Sequence, residues 1–206
     1  DEIVGTYPLT SSLHRKYFLA EDPPTTRNYI NAIKNNLRRY QPQSSHFRAI
    51  TDQRDLDNTE INMLSVPSIF YGSSIKKGSV DLKFYVSGTL LAEASDKNHN
   101  GELIHSGPTG SANSGSTVGF VMYDEGFIIL TGNTAFQLQD DSQTHSGIYI
   151  PGSAAVTASW VHFASTGSST PTGPDQSVLS SSYSLSFEGT TYTPVMTMFA
   201  HAKENQ

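Results

Sequence analysis

The residues best typed and spaced for chemistry are the side-chain oxygens of "SDKNHNGELI", Ser95 to Ile104. Asp96, Asn98 and Asn100 stand at alternate positions, and Gly101 follows. An EF-hand calcium loop begins this way, with oxygen ligands at alternate positions and a glycine for the sharp turn. Such a loop also needs a bidentate acid at its twelfth position. Counted from Asp96, that position is Gly107, and Glu102 comes too soon to replace it. Asn100 and Gly101 both tolerate positive φ, which makes a strong turn signal. The stretch also lies between two strand-like segments, not two helices. We therefore expect a tight turn here, with a weaker, non-EF calcium loop as the alternative.

Other residue sets invite the same scrutiny. The histidines are His14, His46, His99, His105, His145, His162 and His201. None forms H-x-H or H-E-x-x-H. His99 and His105 could meet across the turn, but zinc needs three or four ligands and no third is evident. Serine is abundant, yet no G-x-S-x-G elbow is present, so a Ser-His-Asp set would have to assemble in space. Asp124-Glu125 and Asp140-Asp141 are acidic pairs. Neighbours on a strand point to opposite faces, so neither pair alone makes the facing carboxylates of a glycosidase. "GSSIKKGS", residues 72–79, lacks the order of a phosphate-binding loop and reads as a lysine-rich loop entering a strand. Tyr71, Tyr123, Tyr149, Tyr183 and Tyr192 lie near predicted strand ends. They could line a sugar- or protein-binding surface, or sit at the core edge with hydroxyls in water. No catalytic residue, cofactor-binding residue or metal ligand is expected, and no cofactor.

The elements that would position these residues are mostly strands. Residues 1–24 read as an extended arm, because Pro8, Pro23 and Pro24 oppose a long helix. In "TTRNYINAIKNNLRRY", Tyr29, Ile30, Ile33, Leu37 and Tyr40 fall on one helical stripe. Thr25 or Thr26 can cap its start, Pro42 lies past its end, and Lys34, Arg38 and Arg39 suit the negative end of its dipole. "SVDLKFYVSGTLLAEA" alternates, with Val80, Leu82, Phe84 and Val86 on one face. "TVGFVMYDEGFIILTG" predicts two strands joined at Asp124-Glu125-Gly126. "AAVTASWVHFAS" predicts another strand, holding the lone Trp. "SYSLSFEGTTYTPVMTMFAH" predicts two more, broken at Glu188-Gly189. Residues 105–116 and 165–182 read as long loops rich in Ser, Gly, Thr and Pro. The expected fold is mainly β: an antiparallel β-sandwich-like domain over residues 61–206, preceded by an N-terminal arm and one helix over residues 1–60.

Composition narrows the classes. The 206 residues carry a net charge of −6, and no basic stripe marks a nucleic-acid binder. The basic residues between Arg27 and Arg54 read as a solvated helix face. There is no cysteine, so disulfides and cysteine-based metal sites are excluded. No apolar run is long enough to span a membrane. The chain begins at Asp1, not Met, which reads as a processed product or a fragment.

One set of segments is distinctive. "IFYGSSIKKGSVDLKFYVSGTLLAEASDKNHNGELI" is followed by "GPTGSANSGSTVGFVMYDEGFIILTG". Around them stand "LHRKYF", "NYINAIKNNL" and "TYTPVMTMFAHA". Together, roughly over residues 7–202, they resemble virion structural proteins of marine, T4-like tailed bacteriophages. The resemblance implies a non-enzymatic component of the virion, in tail, baseplate or neck. It would assemble with other virion subunits and as a homo-oligomer. Chains of that kind continue past "MFAHA", so the stop at Gln206 reads as a fragment. The competing expectations are a receptor- or sugar-binding module of a tail fibre, and an enzyme such as a polysaccharide hydrolase.

Overall fold

The computed structural model describes residues 2–7, 14–19, 28–42, 45–51, 54–86, 88–111, 113–134, 136, 146–149, 155–157, 159–164 and 181–199. Strands β1 (Glu2–Tyr7) and β2 (His14–Phe18) precede helix α1 (Asn28–Tyr40). Two short strands, β3 (Ile50–Thr51) and β4 (Arg54–Asp55), pair with each other. Next come β5 (Ile61–Ser65), β6 (Ser74–Ile75), β7 (Asp81–Val86) and β8 (Thr89–Ser95). They are followed by β9 (Glu102–Gly107), β10 (Thr117–Met122) and β11 (Phe127–Leu130). β12 (Ser146–Tyr149) pairs with β13 (Ala155–Thr157), and β14 (Ser181–Thr190) is the longest strand.

The main sheet runs β1-β14-β7-β8-β9-β10-β11-β5-β2, with β6 added beside β14. All its pairings are antiparallel. Laid flat, nine strands would span about 38 Å between the outermost axes. Yet β1 and β2, at opposite edges, are consecutive in the chain. The link from Tyr7 to His14 reaches about 25 Å at most. The sheet must therefore curl, and its two halves face each other as the layers of a sandwich do.

The curl creates an inner core. Leu64, Val121, Ile128 and Leu130 from one half meet Leu82, Phe84, Leu185 and Phe187 from the other. A second core lies outside, where Ile30, Ile33 and Leu37 of α1 pack on Phe18, Ile61, Phe120, Met122 and Ile129. The assignments alternate along β5, β11 and the Phe120–Met122 part of β10, as side chains in a pleated strand do, while Val118 falls out of phase beside the irregularity between Thr117 and Gly119. This explains the unbroken apolar runs "TVGFVM" and "FIIL", since both faces of those strands are buried. "DLKFYV" alternates, with Leu82 and Phe84 buried and Asp81, Lys83 and Tyr85 half-buried. The outer core joins α1, Phe47 and Leu56 to β10 and β11, so it spans both sides of residue 60.

Three expected elements change. The alternating "SVDLKFYVSGTLLAEA" is two strands, β7 and β8, turning at Gly88 with φ +80°. Of "AAVTASWVHFAS" only Ala155–Thr157 is a strand, β13, and the part around Trp160 is not, because Trp160–His162 forms a 3-10 turn. Glu188-Gly189 does not break a strand, since β14 runs through it to Thr190. Gly189 is needed for close approach: a Cβ there would lie 2.5 Å from the Tyr71 carbonyl oxygen. Beyond Thr190 the chain joins no strand among the described residues, and Thr191–Phe199 is exposed throughout. Residues 165–180, the bulk of the second expected loop, lie outside the described residues, as do Asp140, Asp141 and the Tyr149 side chain.

Candidate functional site

A cleft of about 650 Å³ opens where α1 ends, beside β6 and the turn after β8. Tyr40, Phe47, Lys76, Lys77, His99 and Tyr123 are among its lining residues. Its floor rests on the turn that the sequence singled out. β8 delivers Asp96 at the inward parity of Ala92 and Ala94, and all three are fully buried. Asp96 Oδ2 accepts hydrogen bonds from Gly78 N at 2.7 Å and Tyr123 Oη at 2.7 Å. Its Oδ1 accepts from Val80 N at 3.0 Å. Burial pushes the Asp96 carboxyl above its ordinary range, and these three donors oppose that push. The same contact and burial hold the Tyr123 phenol well above its usual range.

These bonds bear on the calcium reading: three donors take three of the roughly four acceptor positions of the Asp96 carboxylate. Asn100 Oδ1 is likewise engaged by Glu102 N at 3.0 Å. Gly101 has φ +87°, and a Cβ there would meet the Val121 carbonyl oxygen at 2.8 Å. The stretch is a turn that pins the Gly78–Val80 segment to the sheet. Among the described residues no cluster of three or more His, Asp or Glu side chains could hold a metal ion.

The rim carries the cleft's acids. Tyr40 Oη donates to Glu125 Oε1 at 2.8 Å, in the turn between β10 and β11. Burial, helped by Glu125, raises the Tyr40 phenol well above its usual range. Asp124 is the one carboxylate among the lining residues, whereas a glycosidase needs two across a gap. Lys76 Nζ pairs with Glu188 at 2.7 Å, which leaves Lys77 as the exposed lysine of the rim. Of the cleft's lining, Phe47, Ile75, Met122 and Tyr123 are buried, and the exposed side chains are Lys77, His99, Asp124 and Tyr192.

Two serine–histidine contacts, invisible in the sequence, form in space. Ser111 Oγ lies 2.9 Å from His105 Nε2, and Trp160 Nε1 donates to His105 Nδ1 at 3.0 Å. An indole N–H is a donor only, so Nδ1 must carry the lone pair and Nε2 the proton. Nε2–H then donates to Ser111. A serine nucleophile needs the reverse, a histidine lone pair facing the hydroxyl and an acid behind the ring. Burial also lowers the His105 pKa, which keeps the ring neutral. The second contact joins Ser159 Oγ to His162 Nδ1 at 2.8 Å within one 3-10 turn. Glu60 stands 3.9 Å from His162 Nε2, but Ser159 is buried and out of a substrate's reach. Both contacts serve packing.

The remaining candidate residues are dispersed. His99 and His105 do not share a site: the His99 ring covers Gly78, while His105 packs on Trp160. Tyr71 and Tyr123 are core residues, Tyr183 packs on Phe84 and Phe163, and Tyr192 is exposed. Arg38 and Arg39 are solvated, but Arg54 is buried, donating to the Arg48 carbonyl and stacked on Phe120. Burial lowers its pKa to about 10. No helix among the described residues is long and apolar enough to cross a membrane. Comparison with protein-family models, with curated proteins and with solved structures finds no match.

Proposed function

We propose that this chain is a non-enzymatic structural component of a tailed-phage virion, in tail, baseplate or neck, that works by assembling with other subunits. The observation that carries this reading is the unpaired segment Thr191–Phe199. Its Val195, Met196, Met198 and Phe199 are 84%, 87%, 86% and 95% exposed, next to Tyr192 at 69%. Large apolar side chains gathered on one projecting segment mark an interaction surface. The resemblance to virion proteins gives that surface a setting. The structural hydrogen bonds of Asp96, the tautomer of His105 and the burial of Ser159 argue in the same direction, against catalysis.

The tail-fibre binding module is the second reading. It asks for exposed tyrosines beside clustered loops. Tyr71 and Tyr123 are buried, which favours the assembly reading over it. Gold-labelled antibody against this chain, applied to purified particles, tests the proposal. Label at a fixed position on tail, baseplate or neck is the expected result. Label confined to fibre tips would favour the binding module, and unlabelled intact and disrupted particles would overturn the proposal.

A further inference from the structure

A second pocket, of about 230 Å³, lies where the β3–β4 hairpin meets β9, β10 and the end of β11. Every residue that lines it is polar, and Arg54, Glu102, Thr117 and Thr131 are among them. Two of these are core-like in their burial: Arg54 is 7% exposed and Thr131 6%. Arg54 is a buried cation with incomplete partners. Its Nε and Nη2 donate to the Arg48 carbonyl at 2.9 and 2.7 Å, and its plane lies over the Phe120 ring. Among the described residues Nη1 donates to no acceptor, and no carboxylate forms an ion pair with the guanidinium. Nη1 is not sealed from solvent either, and Arg54 lines the pocket, so this donor is open to a guest. Buried charges are ordinarily paired. The lowered pKa of Arg54 is what burial does to a guanidinium short of a counter-charge.

Thr131 repeats the pattern. Its N–H donates to the Val118 carbonyl at 2.9 Å, but its hydroxyl has no hydrogen-bond partner among the described residues and is not sealed off. The negative side of the pocket is Glu102. Its Oε1 accepts from the Thr117 hydroxyl, which leaves Oε2 free among the described residues. Glu102 forms no ion pair with Arg54, yet it is the acid whose charge acts on that guanidinium. The pocket therefore holds a cation and an anion apart, with hydroxyls around them. A dianion such as phosphate would be drawn to Arg54 and repelled by Glu102. A plain carboxylate would leave Glu102 unanswered. A guest with both charges satisfies both walls. The volume is that of about seven waters at roughly 30 Å³ each, enough for a small amino acid and too little for a peptide segment.

We propose that this pocket binds a small free α-amino acid, whose carboxylate accepts from Arg54 Nη1 and the Thr131 hydroxyl and whose ammonium donates to Glu102. Guanidinium is the side-chain group best matched to a carboxylate, and bonds between charged partners are the strong ones. The site is built in advance, because Arg54 is held by the Arg48 carbonyl and Phe120 before any guest arrives. This inference does not rest on the virion reading.

Saturation-transfer-difference NMR titrations on the full chain test it, with glycine, L-serine, glycolate and ethanolamine as probes. Glycine and L-serine carry both charges, glycolate lacks the ammonium, and ethanolamine lacks the carboxylate. At least one of the two amino acids should bind, about tenfold or more tighter than glycolate or ethanolamine. Thr131→Val removes the hydroxyl and should weaken the amino acid and glycolate alike. Glu102→Gln removes the negative wall, so it should weaken the amino acid while leaving glycolate as tight or tighter. A merely structural role for Glu102 would not produce that reversal. Circular dichroism checks the fold of each variant, and the comparison of probes on the wild type decides by itself where a variant does not fold. No binding of either amino acid at millimolar concentration would overturn the proposal and leave the pocket to water. So would amino acids no tighter than glycolate and ethanolamine, binding unchanged in both folded variants, or a Glu102→Gln variant that loses every probe equally.

Discussion

Replacing Asp96 by Asn tests the claim that this carboxylate is a structural clasp. The shape is kept, but one of two acceptor oxygens becomes an NH₂. In one orientation the amide nitrogen faces Val80 N–H, and in the other it faces Gly78 N–H. Either way a buried backbone donor is left facing a donor. An orphaned buried N–H costs about 1–3 kcal/mol, and loss of the charge weakens the surviving bonds by roughly another 1 kcal/mol. We predict a loss of about 2–4 kcal/mol, or on the order of 10 °C in melting temperature for a chain of this size. The assay is urea unfolding at neutral pH, read by the fluorescence of Trp160, the chain's only tryptophan. Tyr123→Phe removes one donor and keeps the ring, so it should cost about 1–2 kcal/mol. Calcium should leave the midpoint of every variant where it was. A loss under about 0.5 kcal/mol for D96N would refute the reasoning. So would a calcium-dependent rise in the wild-type midpoint that D96N abolishes.

Other outcomes follow from the same geometry. Gly189→Val would push side-chain atoms into the Tyr71 backbone, and should lower stability by at least about 2 kcal/mol in the same urea assay. A fluorophosphonate probe should leave Ser111 and Ser159 unlabelled by peptide mapping, because neither hydroxyl faces a basic lone pair in an open site. His105 has a folded-state pKa below its unfolded value of 6.5, so its native state binds fewer protons than the unfolded chain. Its contribution is complete above pH 6.5 and is lost as pH falls toward the folded pKa. The stability gap between wild type and His105→Asn should therefore narrow between about pH 7.5 and about pH 5, measured by urea midpoints.

How far the sequence discloses this molecule depends on whether the deciding contacts are local. The α1 stripe of Ile30, Ile33 and Leu37 was legible because one helix face is buried. The β10–β11 hairpin was legible because Gly126 takes positive φ where the turn demands it. Gly189 misled because a glycine inside a strand and a glycine between strands look alike until Tyr71 is placed beside it. The segment holding Trp160 misled because its apolar residues are buried by a 3-10 turn instead of a strand. Asp96 was half legible. Its Asx-rich context marked a turn, and its parity with Ala92 and Ala94 pointed inward, but its partners lie 16 to 27 residues away along the chain. His105 and Trp160, 55 residues apart, gave no local signal. The exposed segment was hidden for another reason: "TYTPVMTMF" has the composition of a strand but pairs with no strand among the described residues.

Quantitative peptide mass spectrometry on purified phage particles tests the central claim most directly. With the major capsid protein as internal standard, the account predicts a fixed copy number, a multiple of three, five or six, as a symmetric part of the virion requires. Absence of this chain from particles whose other structural proteins are all detected would contradict it.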